Sequence, residues 1–313
     1  MGKVLEGKVA VVTGSGRGIG RETVLLLAAE GARVVVNDLG GAEDGSGGSA
    51  SVADQVVAEI RERGGAAVAN YASVASSEGA ESIIQTALDN FGKIDVLVNN
   101  AGILRDRMLW NMTDEEWDAV IKVHLYGHFY CARAAVRNMR DAIREGKQLN
   151  GRVINFTSHA GIRGNPGQPN YSAAKMGVVG FTYAVAAACE RFGVTCNAIA
   201  PRAITRLTDT IPEDRLRQLA KMRGFPGWDA PNIEDVKKKF LGGAPTSIAP
   251  LVAWLASDES QHVTGQVFMM TEGAVALFPR MEENRFAYKD GLFGIADLSR
   301  AMQSLVPKPA SQS

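Results

Sequence analysis

Seven short apolar runs, separated by helical patterns, constrain the fold more than any other feature of the sequence. They lie at residues 9–12, 33–36, 66–69, 94–98, 152–156, 194–199 and 266–270. Strands that are apolar at every position are typical of a parallel sheet covered by helices on both faces, whereas a sheet with one wet face alternates apolar and polar residues. The sequence therefore predicts an α/β fold with a doubly wound parallel sheet.

Composition and charge narrow the classes of function. Hydrophobic residues make up 46% of the 313-residue chain, and 34 basic residues balance 34 acidic ones. This balance argues against nucleic acid or a membrane surface as a partner. No metal is predicted, because the His, Cys and acidic residues lack ligand spacing. Three sparse cysteines and the lack of a secretory signal favour a reducing, cytoplasmic location. The most apolar segment, residues 176–189, predicts a buried helix too short to span a bilayer.

A glycine-rich turn follows the first apolar run and opens the first helix. Glycines let the backbone approach a pyrophosphate, and a helix N-terminus offers free N–H groups and a positive dipole end. The spacing Thr-Gly-x-x-x-Gly-x-Gly differs from the general dinucleotide fingerprint, but its place between a strand and a helix favours nucleotide binding over a plain flexible turn. The predicted cofactor contacts here are Gly14, Ser15, Gly16, Arg17, Gly18, Ile19 and Gly20.

Asp38 ends the second apolar run, eighteen residues beyond Gly20. A carboxylate at this place accepts hydrogen bonds from the adenosine ribose and repels a 2′-phosphate, so NAD is the predicted cofactor. Arg17 favours the opposite choice, because a cation in the glycine turn could pair with that phosphate. Asp38 acts directly at the ribose and is given the greater weight.

Ser158, Tyr171 and Lys175 form the predicted catalytic group. Tyr171 and Lys175 are four residues apart, so their side chains share one face of a helix. A neighbouring ammonium favours the phenolate and is expected to lower the pKa of Tyr171. Ser158 would hold the substrate oxygen that gains or loses the proton. The group predicts proton transfer to or from an alcohol or carbonyl oxygen.

The chain resembles the short-chain dehydrogenase/reductase family over about residues 3–273. The likeness rests on the glycine turn, the catalytic group and the segment Asn99-Asn100-Ala101-Gly102. It implies a seven-stranded Rossmann sheet in the order 3-2-1-4-5-6-7, a homodimer or homotetramer, and a lysine that also grips the nicotinamide ribose. It further implies cofactor contacts at Tyr171, Lys175, Val74, Asn100, Ala101, Gly102, Pro201 and Ile204.

Within that family the chain looks most like the (3R)-hydroxyacyl-CoA dehydrogenase domains of peroxisomal multifunctional β-oxidation enzymes. The likeness includes Val34 to Gly41, Val68 to Tyr71 and Val123-His124-Leu125. It implies NAD-dependent interconversion of 3-hydroxyacyl-CoA and 3-ketoacyl-CoA, possible also with a sterol-derived chain. His124 stands where most of the family has an Asn, so it either serves the proton relay or is a buried structural histidine. Two other functions stay open: a hydroxysteroid or generic secondary-alcohol dehydrogenase without CoA, and a non-catalytic NAD sensor.

The predicted organisation is one domain at residues 1–275 and a tail at 276–313. A lid at about 203–245 is predicted where the chain is charged and carries no strand pattern. Arg202 and Arg206 are the preferred handles for an anionic substrate, such as an acyl-CoA, over the lysine run 237–239. The Gly- and Ser-rich segment Leu39 to Ser51 is interpreted as a mobile surface loop.

Overall fold

The computed structural model describes residues 3–204, 213–222 and 227–306. Within these ranges one sheet contains eight strands in the order β3-β2-β1-β4-β5-β6-β7-β8. The predicted order of the first seven is confirmed, and all of their pairings are parallel. The strands are β1 (Val9–Thr13), β2 (Arg33–Asn37), β3 (Ala66–Asn70), β4 (Val96–Asn99), β5 (Arg152–Phe156), β6 (Thr195–Pro201), β7 (Val267–Thr271) and β8 (Ala274–Leu277).

Helices fill the connections between the parallel strands. A π-helical turn at Lys122–Tyr126 joins α4 directly to α5. Such turns are rare and often lie at functional sites. The helices of the described ranges are α1 (Gly18–Ala29), α2 (Ser51–Glu62), α3 (Ser77–Phe91), α4 (Asp114–Ile121), α5 (Gly127–Arg144), α6 (His159–Arg163), α7 (Pro169–Cys189), α8 (Glu213–Met222), α9 (Ile233–Leu241), α10 (Ala249–Ala256) and α11 (Ile295–Leu305).

Two hydrophobic cores lie on the two faces of the sheet, which explains why the strands are apolar throughout. In β1, Ala10 and Val12 join the core beneath α1, α2 and α10. The alternate residues Val9 and Val11 join the core beneath α3 and α5. Because successive side chains of a strand point to opposite faces, both sets must be apolar when both faces are covered.

The chain divides into two units, Met1–Phe278 and Pro279–Ser313. The antiparallel strand β8 lies inside the first unit, so residues 276–278 belong to that unit rather than to the predicted tail. In the predicted lid, α8 and α9 share a small core of Leu216, Ala220 and Val236. Its two ends meet in a bridge between Ala203 and Gly243. The lid prediction for residues 205–212 and 223–226, including Arg206, falls outside the described residues.

The α7 helix is longer than the apolar segment that predicted it. With a short 3-10 turn it runs from Pro169 to Phe192. Its 24 residues include an 18-residue window with a mean hydropathy of 1.3, so the helix could cross a membrane by length and composition alone. Buried core helices of soluble proteins pass the same test. In this fold α7 packs on β6 and α6, and its apolar composition matches that packing.

Candidate active site

The glycine turn lies at the carboxyl ends of the parallel strands, where ligands bind in open α/β sheets. Gly14 has φ +63°, and a Cβ there would lie 2.7 Å from the Cα of Ala101. A Cβ at Gly20 would lie 2.2 Å from the carbonyl oxygen of Gly14. Both glycines are therefore required for the turn to pack against the end of β4 and the start of α1.

The start of α1 fits a dinucleotide phosphate. The side chain of its N-cap residue, Arg17, makes no capping hydrogen bond. The first N–H groups of α1 therefore stay available as donors to a ligand. A Cβ at Gly18 would meet nothing within 4 Å, which leaves space beside those donors. Ser15 is buried and its hydroxyl donates to the carbonyl of Val12 at 2.8 Å, so its side chain supports the turn, while Ile19 packs against the core.

Asp38 is fixed by main-chain donors on both carboxylate oxygens. The N–H of Gly16 donates to one at 2.8 Å and the N–H of Gly40 to the other at 2.7 Å. A Cβ at Gly16 would lie 2.9 Å from this carboxylate, so the close approach needs glycine. A carboxylate has about four acceptor positions, so two remain for ribose hydroxyls. The Arg17 guanidinium donates to the carbonyl of Gly41 at 3.3 Å.

Asn100 holds the glycine turn in place. Its side-chain amide donates to the carbonyls of Thr13 at 3.0 Å and Gly14 at 2.8 Å. The Thr13 hydroxyl in turn accepts the N–H groups of Asn100 and Ala101, each at 3.1 Å. The predicted contact of Asn100 with a cofactor stays a prediction, and the structure shows a supporting role for its side chain.

Ser158, Tyr171 and Lys175 come together in space. Ser158 caps α6, accepting the N–H of Ala160 at 3.1 Å, and its side chain lies close enough to the Tyr171 hydroxyl to affect the pKa of that group. The Lys175 ammonium lies 5.6 Å from the centre of the Tyr171 ring and donates to the carbonyl of Phe156 at 2.6 Å. The junction of β5 and α6 thus positions Ser158, and the first two turns of α7 position Tyr171 and Lys175.

The sequence predicts that Lys175 lowers the pKa of Tyr171. With the protein's own groups alone, this prediction is wrong. Burial raises the pKa of Tyr171 to about 12, Ser158 acts in the opposite direction, and the Asp106 carboxylate adds to the rise. Burial also lowers the pKa of Lys175 to about 7. Desolvation disfavours the charged form of each side chain, so at neutral pH the phenol keeps its proton and the ammonium readily gives one up.

His124 lies in the π-helical turn and is buried against Tyr171. Its ring packs edge-on to the Tyr171 ring with centroids 5.0 Å apart. Its Nε2 lies 2.8 Å from the carbonyl oxygen and 3.1 Å from the N–H of Ile103. Burial and the Lys175 charge hold the pKa of His124 well below its usual range. A Cβ at Gly102 would lie 2.4 Å from the His124 ring, so this glycine makes room for the imidazole.

His128 is a further buried histidine beside Lys175, to which the sequence assigns no function. It is 2% exposed, and burial with the Lys175 charge lowers its pKa to about 3. Its side chain faces the main-chain carbonyls of His124, Phe156 and Asn99. The Phe156 carbonyl accepts from Lys175, while the His128 Nε2 has no hydrogen-bond partner among the described residues. In the sequence, the one sign that His128 lies near the site is its spacing of four residues from His124, which puts both on one helix face.

An arm between β4 and α4 connects to the start of the tyrosine helix. The side-chain amide of Gln168 donates to both oxygens of Asp106 at 3.0 and 2.9 Å. The N–H of Arg107 donates to the carbonyl of Gly167 at 2.8 Å. The amide of Asn170 donates to the carbonyl of Arg105 at 3.0 Å. These bonds hold α7 in register with the end of β4 and bring the Asp106 charge near Tyr171.

Three other predicted cofactor residues have their surroundings defined. Val74 is 8% exposed and lies against Gly127 at the start of α5. Pro201 ends β6. The N–H of Ile204 donates to the carbonyl of Gly243 at 2.8 Å, so the predicted backbone contact with a carboxamide is left to the Ile204 carbonyl. Among the described residues, no three His, Cys, Asp or Glu side chains are placed to hold a metal ion.

The parallel sheet, the glycine turn and the Ser158–Tyr171–Lys175 group together define a nucleotide-dependent oxidoreductase. A family model described as short chain dehydrogenase matches residues 8–216. The chain belongs to the short-chain dehydrogenase/reductase family, whose members use NAD(P) and act on CH–OH groups.

Three relatives illustrate the similarity. The peroxisomal multifunctional enzyme type 2 of Mus musculus is 44% identical over 269 residues, which cover 86% of this chain and 32% of that enzyme. The chain thus spans about a third of this relative's length. The hydroxyacyl-CoA dehydrogenase ChsB1 of Mycobacterium tuberculosis is 41% identical over 286 residues, covering 90% and 83% of the two chains. A crystal structure of a short chain dehydrogenase from Mycobacterium avium has 43% identity and a TM-score of 0.80, covering 96% and 95%.

Proposed function

We propose that the protein is an NAD-dependent dehydrogenase that interconverts 3-hydroxyacyl-CoA and 3-ketoacyl-CoA. The observation that carries this proposal is the close group of Ser158, Tyr171 and Lys175, which lies at the same edge of the sheet as the glycine turn. The two relatives named for multifunctional peroxisomal activity and for hydroxyacyl-CoA oxidation support the choice of substrate.

Asp38 supports the choice of NAD. Its carboxylate is fixed at the end of β2 by two main-chain donors, so it cannot turn away to admit a 2′-phosphate without breaking both bonds. Arg17, the competing signal, donates to Gly41 instead. A negative charge held where the ribose binds favours free hydroxyls over a phosphate.

The side chains of the site handle the proton. When bound, the cofactor supplies a nicotinamide ring that takes up or delivers the hydride. In reduction, the protonated Tyr171 donates its proton to the carbonyl oxygen, which Ser158 orients and stabilises. In oxidation, Tyr171 must first lose that proton, and its direct transfer to Lys175 is uphill because the pKa of Tyr171, about 12, lies above that of Lys175, about 7. Because the Tyr171 hydroxyl is protonated at neutral pH, reduction of a carbonyl substrate needs no earlier proton loss from Tyr171.

Two arginines at the base of the lid support an anionic handle on the substrate. The Arg202 guanidinium is partly buried and donates to the carbonyl of Phe240 at 2.8 Å. Arg163, five residues after Ser158, lies near enough to lower the pKa of Arg202 by repulsion, after the larger effect of burial. Adjacent guanidinium groups attract phosphate or carboxylate, which suits the CoA part of the proposed substrate.

A spectrophotometric panel tests the proposal. Purified protein is given NAD or NADP with a (3R)-hydroxyacyl-CoA, the corresponding free hydroxy acid, or a hydroxysteroid, and formation of the reduced cofactor is recorded. We expect turnover with NAD and the CoA ester, and a weaker response to the free acid. Turnover of the hydroxysteroid alone would favour the alternative dehydrogenase, and dinucleotide binding without turnover of any alcohol would favour the sensor.

A further inference from the structure

The Gly- and Ser-rich insertion after β2, which the sequence predicts to be a mobile surface loop, makes hydrogen bonds at its neck and at its far end. We call residues 39–49 the strap. Its neck closes where the N–H of Ser49 donates to the carbonyl of Leu39 at 3.0 Å. Gly40, with φ +73°, sits in this neck, and a Cβ there would lie 2.1 Å from the Ser49 carbonyl oxygen. Within the strap, the N–H of Ala42 donates to the carbonyl of Ser46 at 2.8 Å.

The far end of the strap is joined to the segment that follows β4. The N–H of Leu104 donates to the carbonyl of Glu43 at 3.0 Å, and the Arg105 guanidinium donates to the carbonyl of Asp44 at 2.7 Å. A Cβ at Gly45 would lie 3.2 Å from two side-chain carbons of Ile103, so the strap also packs there. The Arg105 guanidinium is thus a latch between the strap and the β4 end.

Sheet topology shows what the strap crosses. In the strand order, β1 lies between β2 and β4, and the three strands are parallel. Their carboxyl ends therefore meet at one edge, with the glycine turn of β1 in the middle. The strap leaves β2 just after Asp38 and reaches the residues beyond β4, so it spans the edge at which the glycine turn presents its N–H groups.

We infer that the strap closes over the pyrophosphate of the bound dinucleotide and must release its latch on Arg105 before the cofactor leaves. This inference rests on the proposed function, because it needs a dinucleotide held by Asp38 and the glycine turn. Asp38 anchors both parts: its carboxylate accepts from Gly16 in the turn and from Gly40 in the neck of the strap. Cofactor release is then limited by opening of the strap.

Arg105 and Arg107 offer a matched pair of variants. Both arginines lie in the arm after β4, but the Arg107 guanidinium pairs with Glu116 at 2.7 Å and does not hold the strap. Release of NADH from the wild-type, Arg105→Ala and Arg107→Ala proteins is followed by stopped-flow fluorescence. Loss of one charge-assisted hydrogen bond should speed release roughly tenfold in Arg105→Ala, with the Arg107→Ala rate staying near that of the wild type.

A second measurement keeps the inference testable if Arg105→Ala is poorly folded. Hydrogen exchange of the backbone amides of residues 41–46 in the wild-type protein should slow when NAD is added, because the bound dinucleotide keeps the strap closed. Equal NADH release from well-folded Arg105→Ala and Arg107→Ala, or exchange unchanged by NAD, would overturn the inference. Neither measurement needs a substrate. Normal turnover with NADH release that does not depend on Arg105 would overturn the inference about the strap alone, whereas a protein that binds no dinucleotide would contradict both this inference and the proposed function.

Discussion

Burial dominates the chemistry of the individual catalytic side chains. It moves the pKa of Tyr171 up and that of Lys175 down, so the two groups are both favoured in their neutral forms. The sequence shows that the two residues share a helix face, and this proximity is present in the structure. The direction of the pKa change could not be read from spacing, since it depends on how much water the surrounding chain removes.

Replacement of Tyr171 by Phe removes the proton carrier and keeps the ring. We expect Tyr171→Phe to lower turnover by at least about a thousandfold, within the range attributed to acid–base catalysis, and to leave the NADH dissociation constant nearly unchanged. Tyr126→Phe, at an exposed tyrosine in the π-helical turn, is the control. Initial rates and fluorescence titration of NADH measure the two quantities. Substantial activity in Tyr171→Phe would remove Tyr171 from the mechanism.

Asp106 is expected to set the pH at which oxidation begins. Its charge raises the pKa of Tyr171, so Asp106→Asn should lower that pKa and make the phenolate available at lower pH. The alkaline rise of kcat/KM for oxidation should therefore move to lower pH. Asp114→Asn, at the start of α4, is the control. A pH profile that does not move in Asp106→Asn would show that Asp106 is only a structural partner of Gln168.

At the scale of elements, the strands and the helices between them follow from the sequence, whereas their contacts do not. Seven apolar runs predict seven strands because both sheet faces are covered. β8 is not predicted, although its four residues, Ala274 to Leu277, are all apolar. All four are exposed in the structure, so their apolar composition is not explained by burial as it is in the other strands. The two hydrogen bonds that join the strap to Leu104 and Arg105 also could not be predicted, because both are accepted by main-chain carbonyls, which leave no signal in the side chains.

Two glycines of the turn between β1 and α1 allow the cost of backbone strain to be measured apart from the cost of steric overlap. Gly14 and Gly18 both have positive φ, but only at Gly14 would a Cβ meet another atom, at 2.7 Å from Ala101. Gly18→Ala should cost about 1 kcal/mol of unfolding free energy from backbone strain. Gly14→Ala should cost about 1–3 kcal/mol more, from overpacking, and weaken NAD binding. Denaturant unfolding measures both costs, and equal losses would contradict the close packing of the turn on β4.

The whole molecule should lose stability in mild acid because it buries neutral histidines. The pKa of His128 falls from 6.5 to about 3, so between these values the unfolded chain binds a proton that the folded protein excludes. Unfolding free energy therefore declines as pH falls below about 6.5, by at most about 1.4 kcal/mol per pH unit for this group. His124, whose pKa is also lowered, acts in the same direction.

Denaturant unfolding of His128→Leu between pH 7 and pH 5 checks this origin of acid sensitivity. The variant should lose less stability over that interval than the wild type, because one buried site no longer excludes a proton. His262→Leu, at an exposed histidine, should keep the wild-type slope. Parallel slopes for all three proteins would mean that His128 does not contribute.

The two amide bonds to Asp38 have a consequence for engineering of cofactor choice. If the proposed preference for NAD holds, a change of preference to the phosphorylated dinucleotide requires loss of the Asp38 charge, which a neutral side chain would achieve. Here the same oxygens also fasten the backbone at Gly16 and Gly40. An asparagine would keep one acceptor oxygen and place an NH₂ group against the second N–H. A redesign that removes the Asp38 charge must therefore supply another acceptor for the N–H that would face the NH₂ group. Without that acceptor, the change in cofactor preference should also weaken the binding of both NAD and NADP.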